Sequence, residues 1–208
     1  MLNIKGVKNV KKIQKIAVEE TRLGIPLLFG FDVIHGLKTI SPIPLAEAAS
    51  WDLEAIENSG AIAAEESAAV GINWTFAPMV DISRDARWGR VMEGAGEDPY
   101  LGSKIAFARV RGFQGTDFNS TKKIMACAKH FAAYGAAVGG REYNSVDLSD
   151  RMLWEVYLPP FKAAVDAGAA TFMNAFNEIN GIPSTGNKFL QRDILKGKWN
   201  YKIGRAHV

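Results

Sequence analysis

Short apolar runs alternate along the chain with longer segments whose apolar residues recur at helical spacing. The apolar runs are rich in β-forming residues and span residues 25–31, 73–80, 124–128 and 170–176. Helical spacing covers residues 8–20, 52–70, 100–112 and 187–197, and a further helix starts after Asp147 or Ser149 and is interrupted at Pro159-Pro160. Strands that alternate with helices predict a parallel sheet, either a (β/α) barrel or a doubly wound sheet.

Three of the four apolar runs end at charged residues, which are Asp32, Asp81 and the pair Lys129-His130. In a parallel barrel the chemistry lies where the strands end and the following loops begin. Neither a G-x-G-x-x-G motif nor a Walker-type loop follows any run, which disfavours nucleotide binding. The strand ends are therefore the first candidates for a functional site.

The composition is that of an ordinary globular domain and excludes several classes of partner. The 208 residues are 48% hydrophobic and 23% charged with a net charge of +3, and the scattered Lys residues predict no nucleic-acid partner. No apolar run reaches the roughly 18 residues of a membrane helix, so no membrane partner is expected. Cys127 is the only cysteine, and His130 has no second ligand at metal-binding spacing. We expect no metal and no cofactor.

Asp32 and the loop of residues 81–99 carry groups suited to a sugar. A carboxylate at a strand end can accept hydrogen bonds from two neighbouring hydroxyls, although Asp32 could equally cap the next segment. The loop holds Arg84, Arg87 and Arg90, and a guanidinium can bind hydroxyls or pair with a carboxylate. We expect one Arg in a pocket and the others in salt bridges that brace the loop.

Lys129 and His130 are adjacent at the end of the third run. Lys offers three donors and His can donate or accept, so the pair suits a polyhydroxylated ligand. Because strand side chains alternate between faces, we expect that the two cannot both point into the core. Met173, in the fourth run, is a core residue by default, with the floor of a sugar pocket as the alternative.

Four motifs resemble those of glycoside hydrolase family 3 in order and spacing over roughly residues 4–202, most closely its bacterial periplasmic β-glucosidase branch. They are Gly30-Phe31-Asp32-Val33-Ile34-His35-Gly36, Arg84-Asp85-Ala86-Arg87-Trp88-Gly89-Arg90, Lys129-His130-Phe131 and Met173-Asn174-Ala175-Phe176-Asn177. The resemblance implies an α/β fold, a (β/α)8 TIM-type barrel that is partial here and incomplete at both ends, spanning residues 1–202.

The resemblance also assigns sugar-binding residues, which are Asp32, Arg90 (with Arg87 the less favoured choice), Lys129, His130 and, lining the subsite, Met173. The family hydrolyses terminal non-reducing β-D-glucosyl residues by a retaining mechanism. The parent protein is accordingly expected to act on a β-glucoside or cello-oligosaccharide, in the periplasm or outside the cell. No signal peptide is visible in this chain.

The catalytic residues of the family are not among these motifs. Its nucleophile is an Asp in a Ser-Asp-Trp motif on the strand that would follow Lys202, and its acid/base lies farther downstream. We therefore expect no catalytic residue in this chain and no hydrolysis by it alone.

Other functions are considered beside this one. A β-N-acetylglucosaminidase of the same family would carry Lys-His-Phe-Pro-Gly-His-Gly, whereas the segment from Lys129 to Gly135 lacks the second His. A non-catalytic carbohydrate-binding remnant would keep the sugar-binding residues and bind glucose weakly. A phosphate-handling α/β enzyme is disfavoured because no Gly-rich phosphate loop is present.

Residues 203–208 depart from the family pattern and are expected to be a non-native tail. ATC GGA AGA GCA CAC GTC encodes Ile203-Gly204-Arg205-Ala206-His207-Val208 and resembles a common sequencing-library adapter. His207 is therefore not a site candidate. Sequencing of the gene past codon 202 should show a continued reading frame with a Ser-Asp-Trp motif, and a genuine stop codon after Val208 would refute the expectation.

Overall fold

Four parallel strands form the inner wall of the fold in the computed structural model, which describes residues 1–202. The strands are β1 (Gly30–Phe31), β2 (Trp74–Thr75), β3 (Cys127–Phe131) and β4 (Thr171–Asn174). β1 pairs with β2 and β3 with β4, and the parallel bridges Trp74–Met125 and Met79–Lys129 join the two pairs. The strands therefore follow one another in chain order, as in a (β/α) barrel.

Residues 1–3 extend this wall beyond β1. The backbone of Gly30 bonds to Met1 and Asn3, and Leu2 forms a parallel bridge with Gly30. The other edge of β1, through Phe29 and Phe31, bonds to the segment before and after β2. Because the two sets of hydrogen bonds use opposite edges, the first residues act as a further strand of the wall.

Helices connect the strands and cover the outer face of the wall. They are α1 (Val7–Glu19), α2 (Pro44–Ser50), α3 (Leu53–Ala69), α4 (Pro99–Gln114), α5 (Asp150–Met152) continued by a π-helical segment (Leu153–Tyr157), α6 (Pro159–Asp166) and a π-helix (Phe189–Lys198). A short antiparallel hairpin, β5 (Glu178–Ile179) and β6 (Ile182–Pro183), follows β4.

Side-chain caps and prolines set where several helices begin. Asp52 accepts a hydrogen bond from the Ala55 amide at 3.0 Å, and Asp98 accepts one from the Leu101 amide at 2.7 Å. Ser149, one of the two predicted caps, accepts a hydrogen bond from the Met152 amide at 3.3 Å. These side chains satisfy amides that the first helical turn leaves unpaired.

The core lies between the strands and helices α3, α4 and α6. Its largest buried members are aromatic and include Phe113, Phe131, Phe161 and Phe172. Cys127 is fully buried in the wall, and burial raises the pKa of its thiol to about 12. That thiol is therefore a packing group, as its apolar neighbours in the sequence suggest.

A buried ion pair ties the outer helices to the loop after β1. Arg109 on α4 donates to Glu47 on α2 at 2.6 Å, and both side chains are less than a tenth exposed. The same guanidinium donates to the backbone oxygen of Ile34. The pair is hydrogen-bonded at several atoms, as a charge removed from water requires, and it holds the chain just beyond Asp32.

The structure confirms the predicted partial barrel and corrects details of the element boundaries. Gly112 was expected to end its helix, but α4 continues to Gln114, and Gly112 instead lies where α4 crosses α3. The first apolar run was expected to form a strand over residues 25–31, yet only Gly30–Phe31 does so. Helix α2 and the β5–β6 hairpin were not predicted.

Two expectations concern the ends of the chain and the membrane. Residues 203–208, predicted to be a non-native tail, lie outside the described residues. Across residues 1–202, none of the helices has both the length and the apolar character that a bilayer crossing requires. The domain boundary at residue 202 stays a prediction.

Gly112 generates a stability prediction. A β-carbon there would overlap the backbone oxygen of Glu57 and lie 3.1 Å from the α-carbon of Gly60. Because backbone atoms cannot move aside, Gly112→Ala should lower the free energy of unfolding by about 2 kcal/mol, despite its better helix propensity. Gly186 provides the control, because a β-carbon there would meet nothing within 4 Å. Gly186→Ala should change the free energy of unfolding by less than about 0.5 kcal/mol. Denaturant unfolding of both variants would test this, and equal values would refute it.

Candidate active site

A cavity of about 490 Å³ opens at the carboxyl ends of the strands. All five sugar-binding residues predicted from the sequence line it. The lining comprises Leu2, Asn3, Asp32, Ile34, Phe76, Arg90, Glu93, Lys129, His130, Met173 and Phe176. Residues as far apart in the chain as Leu2 and Phe176 therefore converge at one mouth of the partial barrel, which is where barrel chemistry is expected.

Asp32 and Lys129 form an ion pair across the cavity. Asp32 directly follows β1, and the Lys129 ammonium on β3 lies 3.0 Å from its carboxylate. The Lys129 side chain is 4% exposed, whereas that of Asp32 is 58% exposed. The carboxylate therefore keeps acceptor capacity on its open side, and a ligand in the cavity can reach it.

His130 is held by the buried carboxylate of Asp81. One oxygen of Asp81 accepts from the backbone amide of His130 at 3.0 Å and lies 2.8 Å from its ring Nδ1. Because a carboxylate only accepts hydrogen bonds, we assign the proton to Nδ1. The Nε2 atom of a neutral His130 is then left as an acceptor.

Burial lowers the pKa of His130 below its ordinary value of 6.5. The hydrogen bond and charge of Asp81 oppose this shift, while the charges of Arg90 and Lys129 add to it. The imidazole is therefore neutral at pH 7, which fits the assigned tautomer.

The structure corrects the expectation that Lys129 and His130 could not both point inward. Both residues are buried, at 3% and 1% exposure, and both line the same cavity. The register between β3 and β4 shifts between Lys129 and Phe131. Such a bulge interrupts strand alternation and re-aims side chains. The Lys129-His130 and Phe131-Ala132 peptide bonds are both cis.

Arg90 enters the cavity from the long loop after β2. Its guanidinium binds Glu93 through two hydrogen bonds of 2.6 and 2.8 Å and lies 5.7 Å from the centre of the Tyr134 ring. Burial opposes the charge of Arg90, but Glu93 outweighs that effect and raises the pKa of the guanidinium. Burial likewise opposes ionisation of Glu93, yet Arg90 lowers the pKa of its carboxyl.

The other two arginines of this loop lie elsewhere, and within residues 1–202 Arg87 forms the expected salt bridge whereas Arg84 forms none. Arg87 is 74% exposed and pairs with Asp85 at 2.7 Å, and its hydrogen bonds lower the pKa of Asp85 to about 2. Arg84 borders a separate cavity with Tyr157. Trp88 is buried against Tyr134, with ring centres 5.3 Å apart. Of the two candidates, Arg90 and not Arg87 lines the cavity at the carboxyl ends of the strands.

Apolar side chains form the remaining wall. Met173 on β4 is 6% exposed and packs with Phe76 and Cys127, so it is both a core residue and part of the cavity lining. The Phe76 ring fits against Gly30, where a β-carbon would come within 3.0 Å of a ring atom. The wall thus offers apolar surface opposite the charged groups, as small-molecule sites commonly do.

Sequence reasoning missed several members of the site. Asp81 and Glu93 hold His130 and Arg90, and Phe176 and Asn3 complete the rim. Asp81 was among the charged strand ends considered as candidates, but the family resemblance gave it no role in sugar binding. No pattern in the sequence indicates that Asn3 reaches the cavity. Within residues 1–202, no group of three or more His, Cys, Asp or Glu could hold a metal ion.

The lowered pKa of His130 generates a prediction on pH dependence. Below about pH 6.5 the unfolded chain takes up a proton that the folded chain does not, so the free energy of unfolding should fall as the pH falls, by up to about 1.4 kcal/mol per pH unit. The fall should stop at the lowered pKa of the folded state. Denaturant unfolding across this pH range should show this fall in the free energy of unfolding for the unsubstituted chain and for His35→Gln. The fall should be absent in His130→Gln. A slope that persists in His130→Gln would contradict the assignment.

Comparison with known proteins supplies the family. The sequence profile described as the glycosyl hydrolase family 3 N terminal domain matches residues 2–203. A periplasmic beta-glucosidase of Salmonella typhimurium is 45% identical over 195 residues, covering 94% of this chain and 26% of that protein. A beta-xylosidase of Formosa agariphila is 35% identical over 207 residues, covering 93% of this chain and 29% of that protein.

A solved structure agrees with the fold. The beta-glucosidase from Listeria innocua, crystallised in complex with glucose, is 46% identical and superposes with a TM-score of 0.97, covering 100% of this chain and 29% of that one. A mutant of that beta-glucosidase has been crystallised in complex with laminaribiose. The chain thus spans 26–29% of the length of these relatives. The profile match, the identities and the shared fold establish that this chain belongs to glycosyl hydrolase family 3.

Proposed function

We propose that this chain supplies the glucose-binding part of a longer retaining β-glucosidase, which removes terminal non-reducing β-D-glucosyl residues from β-glucosides or cello-oligosaccharides. The observation that carries the proposal is the convergence of Asp32, Arg90, Lys129 and His130 on one cavity with an apolar wall. A pyranose combines a ring of hydroxyls with apolar C–H faces, and this lining offers a partner for each.

Each polar group has a distinct task in the proposed site. The open side of the Asp32 carboxylate accepts hydrogen bonds from two adjacent hydroxyls, while Lys129 and Arg90 donate. Nε2 of the neutral His130 accepts a hydrogen bond from a sugar hydroxyl, which the charged imidazole could not do. Met173 and Phe76 contact the apolar face of the ring.

Charge balance favours an uncharged ligand. The cavity lining holds two carboxylates, Asp32 and Glu93, and two cations, Lys129 and Arg90, and each charge is paired. A neutral sugar leaves both pairs intact, whereas a sugar phosphate would compete for the cations. This balance, with the absence of a phosphate loop in the sequence, argues against a phosphate-handling enzyme.

The same pairing argues that the cavity carboxylates bind rather than react. A retaining hydrolase needs one carboxylate as nucleophile and a second group as acid and base. Asp32 is engaged by Lys129, and Glu93 is engaged twice by Arg90. We therefore assign no catalytic residue within residues 1–202, and the proposed enzyme draws its catalytic groups from other segments.

The alternatives have less support. The N-acetylglucosaminidase reading lacks its second His in the segment after Lys129. A non-catalytic binding remnant would have the same cavity and no hydrolytic activity. Separately, the relatives named above include a beta-xylosidase as well as beta-glucosidases. The Salmonella relative is named periplasmic, and we place the parent enzyme in the periplasm or outside the cell.

Asp32 provides the test of the proposal. The gene product that contains residues 1–202 should hydrolyse 4-nitrophenyl β-glucoside in preference to the N-acetyl-β-glucosaminide. Asp32→Asn should lower kcat/KM by about 100-fold or more, because two charge-assisted hydrogen bonds lose about 3 kcal/mol. Asp166→Asn, an exposed change on α6, is the matched control and should keep activity. An inactive gene product, a reversed preference or an equally active Asp32→Asn variant would refute the proposal.

A further inference from the structure

Three aromatic rings lead from the cavity outward to the surface. His130 packs on Phe176 with ring centres 5.9 Å apart, and Phe176 packs on Tyr143 at 5.3 Å. Their exposure rises along this path, from 1% at His130 to 47% at Phe176 and 66% at Tyr143. Phe176 still lines the cavity, whereas Tyr143 lies one ring farther out. The path thus continues the cavity toward solvent on the side of His130.

The backbone places Tyr143 on this path at a conformational cost. Its φ of 61° lies in the left-handed region, which bulky residues rarely adopt and which is found mainly where the surrounding structure enforces it. On one side Glu142 accepts a hydrogen bond from the buried Tyr134 hydroxyl. On the other, the Asn144 amide bonds to the Arg141 carbonyl oxygen at 3.3 Å. These contacts hold the turn that presents the Tyr143 ring.

Packing alone does not explain an exposed ring in that position. Tyr143 stays 66% exposed even though its ring packs beside those of Phe176 and Tyr134. Large exposed aromatic surface beside a cavity is the usual means of holding a flat ligand, since rings offer wide contact area for little lost side-chain freedom.

We propose that Tyr143, supported by Phe176, is the platform for the aglycone, meaning the group on the far side of the scissile bond, and that it selects aglycones that are themselves rings. This inference rests on the proposed function, which seats the terminal glucosyl residue against Asp32, Lys129 and His130. In this arrangement the aglycone extends from the bound glucosyl residue past His130. A second β-linked glucosyl ring or an aryl group then contacts the exposed faces of Phe176 and Tyr143. A small aliphatic aglycone such as methyl is too short to reach Tyr143, which lies one ring beyond the cavity lining.

The test compares substrates that share the glucosyl group and differ in the aglycone. The gene product that contains residues 1–202 is assayed on methyl β-glucoside, 4-nitrophenyl β-glucoside and cellobiose. Tyr143→Asn removes the ring and keeps a residue that tolerates positive φ. It should lower the ratio of kcat/KM for each cyclic-aglycone substrate to that for methyl β-glucoside by about 3- to 10-fold, the scale of one ring contact. Tyr143→Phe, which keeps the ring, should restore the ratio.

Tyr100→Asn is the matched control, because Tyr100 is 71% exposed on α4 and borders a different groove. It should leave all three activities unchanged. Equal losses on all three substrates with Tyr143→Asn would show that Tyr143 acts through the fold and would overturn the inference, as would no loss at all. A parent protein that cleaves none of the three would overturn the proposed function itself, and the two failures are therefore distinguishable.

Discussion

The buried carboxylate of Asp81 is the constraint on which the site depends. One of its oxygens accepts hydrogen bonds from both the backbone amide and the ring Nδ1 of His130. Asp81, which follows β2, therefore fixes both the position and the tautomer of His130 on β3. The neighbouring Lys129 is fixed with it, and Lys129 in turn anchors Asp32 beyond β1. Three consecutive segments of the wall are thus joined by charge-assisted contacts at one end.

A division of labour follows from how these groups are paired. The cations are mostly buried and the Asp32 carboxylate is mostly open, so the interior supplies fixed donors and the mouth supplies an acceptor. Preorganised groups of this kind bind a ligand without reorganising first. Such a pocket fits the proposed role of recognising a sugar, with bond cleavage assigned in the proposal to other groups.

The architecture and five of the eleven residues that line the cavity were predictable, because they depend on local patterns. Alternating strand and helix periodicity indicates the parallel wall, and the helical spacing over residues 52–70 matches α3 (Leu53–Ala69) to within one residue at each end. The motif resemblance selected Asp32, Arg90, Lys129, His130 and Met173, which do share one cavity. Their roles toward a ligand remain proposals.

The features that were missed depend on contacts between distant segments. Gly112 looked like a helix end, and only the approach of α3 shows why glycine lies within α4. Lys129 and His130 broke the rule of alternation because β3 shifts its register against β4, and no spacing in the sequence encodes a bulge. The pairing of residues 1–3 with β1 brings Asn3 to the cavity, again through a partner far along the chain.

Because Cys127 is buried, the reactivity of its thiol reports when the surrounding wall opens. The sole thiol sits in the wall behind Met173 and Phe76, with a pKa of about 12, so a thiol-specific reagent at neutral pH meets neither an accessible sulfur nor a thiolate. Labelling can proceed only when Met173 and Phe76 move away from the sulfur. The labelling rate therefore measures how often the floor of the proposed sugar pocket opens, without any engineered probe.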